Sequence, residues 1–180
     1  MVIQMVLLIV FQILEGALFL HMALIVALFM AGLAAGAAWM SLKTRSARKE
    51  LGAGKLLIRI QALFCILPCA LAVLFLMFHG PLRDADGNLT MLLFPGLSFV
   101  SGMIEGMHFA AATAVMAEFG QPVSRIGGRL YTFDLLGSAG GLLAATFLLL
   151  PVFGPLQLLP MLSIAAMASL GLLIAGLGKG

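Results

Sequence analysis

Nearly all the charge in this chain is confined to the gaps between long apolar runs, and that confinement limits the fold more than any other feature. Six apolar segments can be drawn, over residues of about 2–14, 17–42, 56–78, 91–118, 125–149 and 156–177. Of the 180 residues, 63% are hydrophobic and only 9% charged. A soluble domain carries close to a quarter charged residues. With so little polar surface, lipid must solvate the outside, which makes the chain an integral membrane protein. Backbone polar groups find no water in lipid, so helices are the expected element. The expectation is an all-α fold, residues 1–180 forming a single transmembrane domain of six helices. The first run is short of the roughly 20 residues that cross hydrocarbon.

Placing the charges on those runs orients the bundle. Lys43, Arg45, Arg48, Lys49, Lys55 and Arg59 follow the second run, Arg125 and Arg129 the fourth, and Lys179 ends the chain. Alternating passes put all nine on one side, against Arg83 with Asp84 and Asp86 on the other. By the positive-inside rule both termini and the basic loops face the cytoplasm, in a plasma or bacterial inner membrane. Trp39 suits an interfacial anchor at the cytoplasmic end of the second helix. The net charge of +3 then reflects topology and contact with anionic lipid rather than a nucleic-acid surface. Gly80-Pro81 and Asp86-Gly87-Asn88 mark an outer turn-rich loop, and Gly154-Pro155 an outer hairpin. Asn88-Leu89-Thr90 is a formal glycosylation sequon.

Three pairs of glycines stand one helical turn apart: Gly32 and Gly36, Gly102 and Gly106, Gly137 and Gly141. Each lets a neighbouring backbone approach closely, either within the bundle or at a subunit interface. Pro68 and Pro95 should kink the third and fourth helices. Cys65 and Cys69 share a helical face but are poorly placed for a disulfide, and read as buried small apolar residues.

Ionisable groups inside hydrocarbon turn inward and seek partners. Glu105 and His108 share a face of the fourth helix, and Tyr131 and Asp134 a face of the fifth. Similar depths for His108 and Asp134 make a cluster of Glu105, His108, Tyr131 and Asp134 between these helices the candidate polar site. It reads as a hydrogen-bond network joining two helices, or as a cation or proton site. His21 and His79 lie near the outer boundary, where a haem or quinone is the third alternative. Neither is required on the other readings, and no cofactor or metal is predicted there. No C-x-x-C-H occurs, which excludes c-type haem. Glu15 reads as a helix-end carboxylate bonded to nearby backbone, and Arg129 as a cytoplasmic anchor within reach of Glu118.

Phe11-Gln12, the run Phe29-Met30-Ala31-Gly32-Leu33-Ala34-Ala35-Gly36 and the run from Gly128 through Arg129, Leu130, Tyr131 and Asp134 to Gly137 and Gly141, followed by Leu150-Pro151, carry a resemblance. The chain resembles the membrane domain of bacterial spermidine-synthase-like proteins, the major-facilitator/spermidine-synthase fusions. The likeness covers nearly the whole chain, and it implies a fold similar to half of a major-facilitator-like bundle. The short first helix looks like the start of the second half of a longer membrane protein of this family. The soluble transferase domain is not here: no strand, glycine-rich loop and helix unit occurs. The fourth helix departs from the family pattern by lacking its proline and by placing Glu105 and His108 there. The resulting expectation is a non-catalytic membrane module, a subunit that anchors or couples a larger assembly. Its partners would be the lipid bilayer and another protein subunit or a second copy, without nucleic acid. The alternatives are an autonomous small transporter of a cation such as a polyamine, and a membrane subunit of an electron-transfer complex.

Overall fold

The computed structural model describes the backbone of residues 1–16, 19–47, 53–84, 87–118 and 123–177, and side chains at 1–16, 19–44, 54–77, 90–117 and 126–176. The side chains of Arg45, Arg48, Lys49, His79, Arg83, Asp84, Asp86, Asn88, Glu118, Arg125 and Lys179 lie outside the described residues. Described residues are helical almost throughout, with no strand among them: α1 Val2–Glu15, α2 Phe19–Ala47, α3 Ala53–Asp84, α4 Gly87–Glu118, α5 Val123–Ala144 and α6 Leu150–Leu177.

The expectation of six separate spans is corrected. Among the described residues four segments are long and apolar enough to cross a membrane: Phe19–Thr44, Gly54–Met77, Thr90–Ala117 and Ile126–Gly176. Helix α1 has 14 residues, about 21 Å, and falls short of a hydrocarbon layer of about 30 Å. The fifth and sixth runs meet where the sequence signal lies: helicity passes from α5 through a π-helical turn, Ala145–Leu149, into α6, and at Gly154 (φ 77°, ψ 170°) helical geometry breaks, so that two helices join across a kink without an intervening loop. Only glycine adopts that conformation without strain. The π turn has a local cause. Pro151 has no N–H to give the Phe147 carbonyl, and its ring would strike it. Widening the turn moves that carbonyl away, and Leu150 N–H bonds to the Ala145 carbonyl instead.

The tightest contact is between α2 and α4. A Cβ on Gly32 would strike the Phe99 carbonyl, and one on Gly36 the Met103 carbonyl. Reciprocally, Gly102 faces Phe29 and Gly106 faces Leu33. Numbers rise together along both helices, so α2 and α4 run parallel. Two parallel neighbours need a return pass between them, and α3 supplies it.

Helix α1 is short but central. Ile3, Val6, Leu7, Val10 and Phe11 recur at helical spacing and are buried. They pack with Ile25 of α2, Leu71 and Phe75 of α3, Phe94 of α4 and Leu158 and Leu159 of α6. Phe11 meets Phe94 edge-on at 5.5 Å, and Phe94 stacks on Phe75 at 5.7 Å. A second, smaller core of Met40, Leu57, Ile60, Ala111 and Val115 lies toward the other ends of α2 and α4.

Candidate functional site

Polar side chains fix α1 antiparallel to α4. Near its C-terminal end Glu15 accepts a hydrogen bond from the Thr90 hydroxyl, rather than from local backbone as expected. At the other end the N-terminal ammonium of Met1 donates to Glu105 Oε1 at 2.7 Å. The geometry is self-consistent: fifteen residues of α4 from Thr90 to Glu105 advance about 22 Å, and α1 about 21 Å. Glu105 lies near the middle of the Thr90–Ala117 segment, so α1 reaches from mid-span to one end.

Between these ends sits a buried donor chain. Ser98 Oγ is 2.6 Å from Gln4 Oε1 and 2.9 Å from the Ile25 carbonyl oxygen. One hydroxyl proton cannot serve both, and Gln4 Nε2 is left without a partner. The two settings of an amide differ only in which atom is N and which is O. Turning it lets Gln4 donate to Ser98 and Ser98 donate to Ile25. Gln61 does comparable work on α3, donating to Ser169 Oγ at 2.9 Å and to the Ala166 carbonyl at 3.3 Å on α6.

Of the expected four-residue cluster, the structure brings together part. His108 is one turn from Glu105 on α4, and its ring stacks on Phe64 of α3 at 5.9 Å. The Asp134 carboxylate lies close enough to act on the imidazole electrostatically. Glu105, however, is claimed by the Met1 ammonium and is 17% exposed. Tyr131 is 59% exposed, with no partner recorded for its hydroxyl among the described residues. Asp134 is exposed as well. Of the four, Glu105 is paired with the Met1 ammonium, His108 lies within electrostatic reach of Asp134, and Tyr131 stands outside both contacts. Sequence reasoning missed the ammonium, because a side-chain inventory does not count a terminus.

Two other expectations change. The third glycine pair makes no close backbone approach within the chain: a Cβ on Gly137 would meet nothing within 4 Å, and one on Gly141 would meet only Val2 Cγ2 at 3.6 Å. Helix α5 is instead buried at Ile126 near its start, and the π turn that follows it at Ala145, with exposed residues for most of the length between. Cys65 is buried but Cys69 is exposed, and both are free. His21 is half-buried with its ring 6.3 Å from that of Phe11. Among the described residues no group of three His, Cys, Asp or Glu side chains could hold a metal ion. Trp39 and Arg129 are exposed, the geometry an interfacial anchor needs.

No family model matches the chain, and no curated protein or solved structure matches it.

Proposed function

We propose that this chain is a non-catalytic integral membrane module that works as one part of a larger assembly. The observation that supports the reading is helix α5. It carries Asp134 and four glycines with open space around them, Gly127, Gly128, Gly137 and Gly140. A helix that packs in a bilayer uses small residues for close approach, and it keeps carboxylates out of lipid. Alone, this one does neither. On this reading Ile126–Gly176 makes two passes that turn at Gly154, since 51 residues would extend about 75 Å if straight. With α1 as a half-length helix the bundle is then six helices, similar to half of a major-facilitator-like fold. The resemblance to the membrane domain of spermidine-synthase-like proteins agrees with this, and the positive-inside rule places both termini in the cytoplasm of an inner membrane. The test is native mass spectrometry of the chain released from its own membrane in lipid nanodiscs. A reproducible complex heavier than the 18.9 kDa chain supports the module, and a lone monomer at working concentration rejects it.

A second reading has its own support. Glu105 pairs with the chain's own Met1 ammonium, and Asp134 of α5 lies within electrostatic reach of His108 of α4. Such a cleft suits a proton or a small cation, including an amine. Proteoliposomes would show pH- or amine-driven flux that Asp134→Asn abolishes; flux equal to empty liposomes rules this reading out.

A further inference from the structure

Several hydroxyls in these helices bond the backbone one turn behind them. Ser101 donates to the Leu97 carbonyl, Thr113 to Phe109 and Thr132 to Gly128, each at 2.8 Å. That local bond is open to any serine or threonine in a helix. Ser163, midway along α6, forgoes it. The residue is 2% exposed, and its hydroxyl has no hydrogen-bond partner among the described residues. A buried hydroxyl left so is costly, and most of all in the middle of a membrane helix.

Register fixes what lies opposite. Gln61 of α3 bonds Ala166 and Ser169 of α6. Leu57 and Ile60 share a cluster with Leu173, and Leu71 and Phe75 share one with Leu158 and Leu159. Numbers rise on α3 as they fall on α6, so the two helices are antiparallel. Ser163 is three residues from Ala166 and six from Ser169, which sets it level with residues of about 64–67 on α3. Pro68 closes that turn. Seven residues at about 100° each bring it within roughly 20° of Gln61, on the side toward α6, and it is fully buried. Proline has no N–H, so the Phe64 carbonyl, four residues back, loses its helical donor. A hydroxyl with nothing to donate to and a carbonyl with nothing to accept from thus stand at one depth of one seam.

We propose that a single water molecule is bound in this seam, accepting from Ser163 and donating to the Phe64 carbonyl, and that it ties α6 to the proline break in α3. The hydroxyl and the carbonyl do not bond directly. A bridge between them must accept at one end and donate at the other, and water does both in the least volume. Cys65, free and buried in the same turn, offers a weak third partner. A cation does not suit the seam, because residues 54–77 and 150–177 contain no carboxylate. The bridge lets α3 bend at Pro68 with both backbone and hydroxyl satisfied, and it makes Ser163 the residue that holds the bend. None of this depends on the module reading.

The sign of one substitution tests it. Removing a hydroxyl that is merely unpartnered stabilises a protein. Removing one that holds a bridging water does the reverse. Ser163→Ala should therefore shift the unfolding equilibrium of the full chain in mixed micelles toward the unfolded state by roughly fivefold, the scale of one net hydrogen bond. Pro68→Ala returns a donor to the Phe64 carbonyl, and in that background Ser163→Ala should shift it by less than about twofold. Infrared spectroscopy with an isotope-labelled Phe64 carbonyl reads the same bond without unfolding, and serves alone where Pro68→Ala does not fold. Its stretch should lie at lower frequency in the unsubstituted chain than in Ser163→Ala. A stabilising or silent Ser163→Ala overturns the proposal. So does a loss that persists unchanged beside Pro68→Ala, which would give Ser163 another partner, or a Phe64 stretch that Ser163→Ala does not move.

Discussion

At Glu105 and Asp134 the same chemical group sits in opposite circumstances, so the same change should act with opposite sign. Glu105→Gln leaves the Met1 ammonium without its counter-charge. We expect a loss of about 1–3 kcal/mol, the cost of orphaning one member of a charged hydrogen bond away from bulk water. Asp134→Asn removes a carboxylate that is exposed and makes no hydrogen bond or ion pair among the described residues, and should leave the isolated chain as stable or more so. Thermal melts of both variants in the same nanodiscs check this, and a fall in both would contradict it. Only part of this was legible in the sequence. The spacing of Glu105 and His108 placed them on one face, and equal depth paired His108 with Asp134. What the sequence could not indicate was that a backbone terminus would take Glu105, since its partner is 104 positions away and carries no distinguishing side chain. Gln4 was the better clue: one amide in an otherwise apolar short helix needs a partner, and it found Ser98.

Among the helices, three glycine pairs have the same spacing and two of them are used. A repeat of small residues says that close approach is possible, and does not say which neighbour, if any, approaches. The structure separates them, and mutation should too. Gly102→Ala puts a methyl group on the Phe29 carbonyl, where neither backbone can move without displacing its helix. The cost should reach about 3 kcal/mol, the upper range of ordinary overpacking. Gly137→Ala meets open space and should change the stability of the isolated chain by less than about 0.5 kcal/mol. Denaturation in mixed micelles compares the two directly. Pro151→Ala is a different kind of test. With an N–H restored, the Ala145–Leu149 turn no longer has a reason to widen. It should revert to α geometry and shift the Thr146 hydroxyl from Met5 Sδ, now 3.3 Å away. A structure of the variant that retains the π turn would show that Pro151 is not its cause. The number of spans was misjudged at α1, whose 14 residues are too few to cross hydrocarbon, and a signal such as Gly154-Pro155 marks where helical geometry breaks without saying whether a loop follows.

For the molecule as a whole, the core is organised around its shortest helix. Its length alone keeps α1 from crossing the bilayer, yet it contributes Val6, Leu7 and Phe11, all fully buried. The reason is its spacing: Ile3, Val6, Leu7, Val10 and Phe11 fall on one helical face that packs against α2, α3, α4 and α6, while Ile13 stays exposed. Phe11→Ala should therefore cost about 3–5 kcal/mol, the range for removing a buried aromatic ring. Leu92→Ala, at an exposed position of α4, should cost well under 1 kcal/mol. Equal losses at the two sites, measured by unfolding in the same detergent, would mean that α1 is not the centre of the core.

The parallel pairing of α2 with α4 has a consequence for how the chain is made. Gly36 leaves the ribosome seventy residues ahead of Gly106, a delay of roughly 4–14 s at ordinary elongation rates. Throughout that interval the groove on α2 has no mate, and only α1 and the returning α3 can shield it. A nascent chain arrested before Gly102 should accordingly be caught by insertion chaperones at Gly32 and Gly36, and one arrested well past Gly106 should have shed them.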